Sequence, residues 1–157
     1  MKYDNIIVYL GLMSQAMVEE GIVDPLAFNH FHASDFKIDK YSLTIRFPWG
    51  GCIHFEPLEI AIYTFFLMHP EGIECKQLQE YNKELLEQYQ RFTRCSGIEC
   101  AEQTIDHFCE SMRNKNLIPL LSHIRGKIAK EIGPWASCRF GINRANDGRY
   151  KIAALIP

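Results

Sequence analysis

No apolar run near the N-terminus is long enough to cross a bilayer: Ile6 to Met13 falls far short of the roughly 20 residues that a helical span needs, and no small-residue cleavage pattern follows it. The expectation is a cytoplasmic protein without membrane contact. Chemistry-bearing motifs are equally scarce. There is no Gly-rich phosphate loop, no nucleophile elbow and no metalloprotease-type pair of histidines, so no catalytic residue is assigned and no enzyme or cofactor is expected. The six cysteines form neither a C-x-x-C knuckle nor the dense framework of a small secreted scaffold, and reduced thiols are the expectation. Cys95, Cys100, His107 and Cys109 are the one set with zinc-preferring chemistry, but His107 and Cys109 stand two apart on a helix and point in different directions. His30 and His32 have no acidic or thiol partner close by. These read as buried or surface side chains, and no metal is expected.

What the chain does have is a soluble composition and a polarised charge. Hydrophobic residues make up 47% and charged residues 23%, too apolar for a disordered tail, and 157 residues suffice for one main core. From residue 111 to 157 there are nine bases (Arg113, Lys115, Arg125, Lys127, Lys130, Arg139, Arg144, Arg149, Lys151) against two acids (Glu131, Asp147), a segment of +7. The first 110 residues hold the other eight bases and seventeen acids, a segment of −9. The net −2 therefore conceals a basic C-terminal end suited to a polyanion.

Periodicity divides the chain in two. Residues 1–35 hold an amphipathic helix over the first twenty residues (Tyr3, Ile6, Ile7, Leu10, Met13, Met17) and an irregular extension. Residues 36–157 open with alternation at Phe36, Ile38, Leu43, Ile45 and Phe47, then Cys52 to Phe55, which predicts a small antiparallel sheet over 36–55. Helices follow over 56–133. Pro57 suits the first position of a helix that is apolar nearly all round and stops at Pro70 and Gly72, with Glu56 and Glu59 at the positive end of its dipole. A second helix is predicted from Lys76 to about Arg94 with Glu80, Glu84 and Glu87 on a solvated face, and a third from Ala101 to about Met112.

The fourth helix, 116–131, has Asn116 as an N-cap, Pro119 in its first turn and Gly133-Pro134 beyond its end. Leu117, Leu120, Leu121, Ile124, Ile128 and Ile132 make one apolar seam. Ser122, Gly126 and Ala129 lie opposite, with His123 and Lys130 beside them and Arg125 and Lys127 on the shoulders. After Pro134, alternation of Cys138, Phe140 and Ile142, then Tyr150, Ile152 and Ala154, around Asp147-Gly148 predicts a β-hairpin within 136–157.

A basic hairpin directly after a basic-shouldered helix resembles the winged-helix DNA-binding effector domain of response regulators of the OmpR/PhoB class. Residues 55–59 and 68–73, Phe-Glu-Pro-Leu-Glu and Met-His-Pro-Glu-Gly-Ile, are similar to the family's opening and closing of its first helix. Leu121-Ser122-His123-Ile124-Arg125-Gly126-Lys127-Ile128 is similar to its recognition helix, and Tyr150-Lys151-Ile152 to its last wing strand. The chain departs from the family in the insertion 95–115, and residues 1–35 are too short for a receiver domain.

The resemblance implies an α+β fold: a winged helix-turn-helix with a small N-terminal sheet, an extra helix inserted before the recognition helix, and a C-terminal hairpin wing. It implies a transcriptional regulator that places helix 116–131 in the major groove of double-stranded DNA. Ser122, His123 and Lys130 are then the candidates for base edges, and Arg125, Lys127, Arg144, Arg149 and Lys151 for phosphates, with Arg139 a further basic contact. A homodimer through the N-terminal helix or the acidic second helix is the expected protein partner. The alternative is a winged-helix module for protein contact that does not bind DNA.

Overall fold

In the computed structural model the described residues are 31–48, 51–93, 98–109 and 116–156. The predicted N-terminal helix, His30 and Cys95 lie outside them.

Phe36, Ile45, Phe47, Ile53 and Phe55 need a shared apolar face, and three short strands supply it: β1 (Lys37–Asp39), β2 (Thr44–Arg46) and β3 (Cys52–His54). They pair antiparallel in chain order with Ile38 opposite Ile45 and Ile45 opposite Ile53, so the alternation turns one side inward. The β1–β2 connection turns on Asp39, whose carboxylate accepts the amides of Tyr41 (2.8 Å) and Ser42 (3.3 Å); these bonds hold its carboxyl below the ordinary value.

Helix α1 (Pro57–Leu67) is buried from Glu59 through Leu67, the central helix that its composition predicts. Glu59 closes its N-terminus by accepting the Glu56 amide at 2.8 Å. Tyr63 anchors the middle of the core: its ring lies 5.7–6.3 Å from Phe36, Phe47 and Phe55, and its hydroxyl donates to the Phe140 carbonyl at 2.6 Å. Burial pushes that phenol well above its ordinary value.

The predicted second helix is divided. Cys75–Tyr81 is a 3-10 segment and α2 runs Asn82–Phe92, with Leu78, Leu85 and Phe92 inward. Glu84 does not join the solvated acidic face. It is half-buried and meets His69 Nε2 at 2.7 Å, while Glu80 and Glu87 are exposed. Helix α3 (Ile98–Cys109) packs on α2, burying Ile105, Phe108 and Cys109, and Asp106 accepts from Asn82 on α2. The predicted end of this helix near Met112 falls outside the described residues.

Helix α4 (Leu117–Glu131) buries Leu117, Leu121, Ile124 and Ile128 as the seam predicts, with Leu120 half-buried. Asn116 occupies the N-cap position without capping; its amide reaches back to the His107 carbonyl. Gly133, at φ 130°, takes a backbone conformation that other residues rarely adopt and ends the helix.

The stretch after Pro134 corrects the sequence expectation. Residues 138–140 are not a strand but part of a short helix, α5 (Pro134–Phe140), with Pro134 in its first turn. Trp135, Ala136 and Phe140 share its buried side, whereas Cys138 is exposed, so the apparent alternation of Cys138 with Phe140 marks no common face. The hairpin is shorter than expected, β4 (Ile142–Arg144) and β5 (Tyr150–Ile152), with Gly148 at φ 84° in the turn. The fold is thus α+β, with five α-helices and two small antiparallel sheets among the described residues.

Candidate nucleic-acid interface

The exposed side of α4 is a stripe at four-residue spacing: Ile118, Ser122, Gly126 and Lys130, with Pro119 and His123 beside it. A Cβ built on Gly126 meets no atom within 4 Å, so nothing among the described residues covers the middle of this stripe. Helix α3 packs on α2 and meets the start of α4 beside the stripe, not over it.

The two basic shoulders have internal work. Arg125 donates from one guanidinium nitrogen to the Ile142 carbonyl (3.0 Å) and from another to Ser122 Oγ (3.0 Å), tying β4 to the helix. Lys127 pairs with Glu59, whose side chain is 5% exposed, and its ammonium lies 5.8 Å from the Phe55 ring centroid. Sequence alone places both side chains at the edges of a presenting surface. In the structure one holds the hairpin against α4 and the other neutralises a buried carboxylate on α1, because each shoulder faces a neighbouring element.

A second tether fixes the hairpin from its other edge. Ile73, in the connection after α1, pairs with Tyr150 of β5 through both backbone bonds (3.0 and 2.9 Å). Register then sorts the basic residues of the hairpin. Arg144 opposes Tyr150, and both border a depression of about 450 Å³ with Ile118 of α4. Asn143 opposes Lys151, on the other face. Arg149 and Lys151 run past Gly72, where an added Cβ would stand 3.0 and 3.2 Å from theirs.

Of the nine predicted residues, Ser122, His123 and Lys130 are exposed along α4, and Arg144 is exposed across from Ile118 at the start of that helix. Arg125 and Lys127 are half-buried and internally bonded, Arg139 is half-buried on α5, and Arg149 and Lys151 lie half-buried on the far face of the hairpin. The sequence reading missed Ile118. Its signal was available: in a helix whose other apolar residues follow one seam, position 118 falls outside it, yet 118, 122, 126 and 130 form a single i, i+4 row.

Beside the stripe, α3 and α4 border an open groove of about 530 Å³ with Leu58, Phe108, Pro119 and Leu120 among its walls and His107 at its edge. His107 and Cys100 are exposed while Cys109 is buried, its thiol pushed up to about 11 by burial and by Asp106. No group of three or more metal-ligating side chains converges among the described residues, and no helix among them is long and apolar enough to cross a membrane. No protein-family model, curated protein or solved structure matches the chain.

Proposed function

We propose that this is a winged-helix DNA-binding protein of the cytoplasm, acting in transcriptional regulation, which lays α4 in the major groove and sets the β4–β5 hairpin against the adjoining backbone. One observation carries the reading: an uncovered helix stripe of Ser122, Gly126 and Lys130 with a hairpin locked alongside it, Arg144 on the shared side. A helix of this kind enters a major groove when no other element of the fold stands in front of it. Ser122, His123 and Lys130 are positioned for base edges, and Arg144 for phosphate at the groove edge. Lys130 and Arg144, the exposed bases of the segment from 111 to 157 among the described residues, supply the sequence-independent attraction.

The test is fluorescence anisotropy on duplex DNA across a salt series, with His123→Ala, Lys130→Ala and Arg144→Ala beside wild type. Affinity should fall steeply with salt, and removing one phosphate contact should reduce the log–log slope by about 0.9. Arg125 and Lys127 are unsuited to this test because their loss loosens the fold itself. A folded wild type that binds no duplex at low salt would refute the reading. It would favour the alternative of a protein-contact module, for which the apolar groove between α3 and α4 offers the surface.

A further inference from the structure

We propose that Ile118 gives the α4 surface a preference for thymine, by packing its side chain on the C5 methyl group in the major groove. This rests on the DNA-binding reading above. Ile118 is 47% exposed, one of three large hydrophobic side chains so exposed among the described residues; the others, Tyr41 and Met68, lie at the β1–β2 turn and the end of α1. It is not a core residue left over from the seam, since Leu117 and Leu121 on either side are at most 1% exposed. A β-branched apolar residue at an open helix position is less favourable than Ala both for the helix and for solvation. Contact with an apolar partner would remove the solvation cost and offset the helical one.

Position narrows that partner. Ile118 stands in the first turn of the helix, the end that approaches base edges when a recognition helix enters the major groove. The one apolar group that a natural base presents there is the thymine methyl. The depression beside it is lined by two bases (Lys76, Arg144) and two acids (Glu74, Asp147). Across the depression from Ile118 lies Arg144, whose guanidinium has no hydrogen bond or ion pair among the described residues. The two acids on the same rim are engaged: Glu74 pairs with Lys76 at 3.0 Å, and Asp147 accepts the Arg149 amide at 3.0 Å. Arg144 is thereby free to take a phosphate flanking the base that Ile118 touches.

The test starts with in vitro selection of a duplex from a random-sequence library by the wild-type protein. Each thymine of the recovered duplex is then replaced by deoxyuridine, which deletes only the methyl group, and affinity is measured for wild type and Ile118→Ala. One replacement should weaken wild-type binding about fourfold, the effect of burying one methyl-sized apolar group. Ile118→Ala should lose the same factor on the thymine duplex and show no difference between the two duplexes. Its melting temperature should be equal to or slightly above wild type, because the side chain is exposed and alanine is the better helix former. Sensitivity to deoxyuridine that persists in Ile118→Ala, or wild-type binding indifferent to every replacement, would overturn the assignment while leaving DNA binding intact. Failure of the folded wild type to select any duplex would overturn both, and a partner protein would then be sought for the exposed isoleucine.

Discussion

Gly126→Ala should make this protein more stable. Gly126 lies in the interior of α4, is exposed, and has no atom within 4 Å of where a Cβ would stand, so the added methyl group meets no steric obstacle. Glycine restricts to a helix from a larger set of unfolded conformations than alanine does, and the difference is about 1 kcal/mol in a helix interior. For a chain of 157 residues that corresponds to a rise of about 2–4 °C in melting temperature. Urea titration followed by circular dichroism should show the midpoint moving up with the slope unchanged. The same methyl group projects from the stripe assigned to the DNA groove, so affinity for duplex should fall as stability rises. A stability decrease would refute the reasoning, because it would mean that the middle of the stripe is covered in the folded protein. A gain in stability with unaltered DNA affinity would remove the close approach of the α4 backbone to its ligand.

The opposite outcome is expected at Gly141, where a Cβ would lie 2.3 Å from the Ser137 carbonyl oxygen and 2.9 Å from Arg125 Cγ: Gly141→Ala should lower stability by about 1–3 kcal/mol, read by the same titration. Lys127→Ala should cost about 1–2 kcal/mol by stranding the Glu59 carboxylate, below the full figure for a buried pair because Lys127 is 34% exposed, whereas Lys130→Ala should stay within about 0.5 kcal/mol. Tyr63→Phe removes the buried donor to the Phe140 carbonyl and should cost about 1–2 kcal/mol in chemical denaturation at neutral pH. With Tyr63 in place, the folded state keeps a proton that the unfolded state releases above about pH 10, so its contribution is full below that value and is lost as pH rises beyond it. Absorbance titration at alkaline pH should show one tyrosine fewer withheld until unfolding in Tyr63→Phe than in wild type.

Local rules, complete within a few residues, make most elements legible in the sequence itself. Pro57 at the start of a run that is apolar nearly all round marks a buried helix, and α1 is that helix. Asp147-Gly148 between two alternating segments marks a hairpin, because a residue with positive φ costs glycine nothing, and Gly148 sits at φ 84°. The seam Leu117, Leu121, Ile124 and Ile128 marks the buried side of α4 and, by subtraction, its open stripe. The short helix α5 was not legible, since over seven residues Cys138, Phe140 and Ile142 fit a period of two as readily as Trp135, Ala136 and Phe140 fit a period of 3.6; burial of Phe140 against Phe36, Phe47 and Trp135 decided between them. Nor was the fate of the basic shoulders. Arg125 meets Ile142 across 17 residues and Lys127 meets Glu59 across 68, and no helical wheel contains those partners. Charge and periodicity determined which residues face outward from a helix, because both act along one element. Which of those residues remain free to meet a ligand was decided only by the neighbours that tertiary packing brought to them.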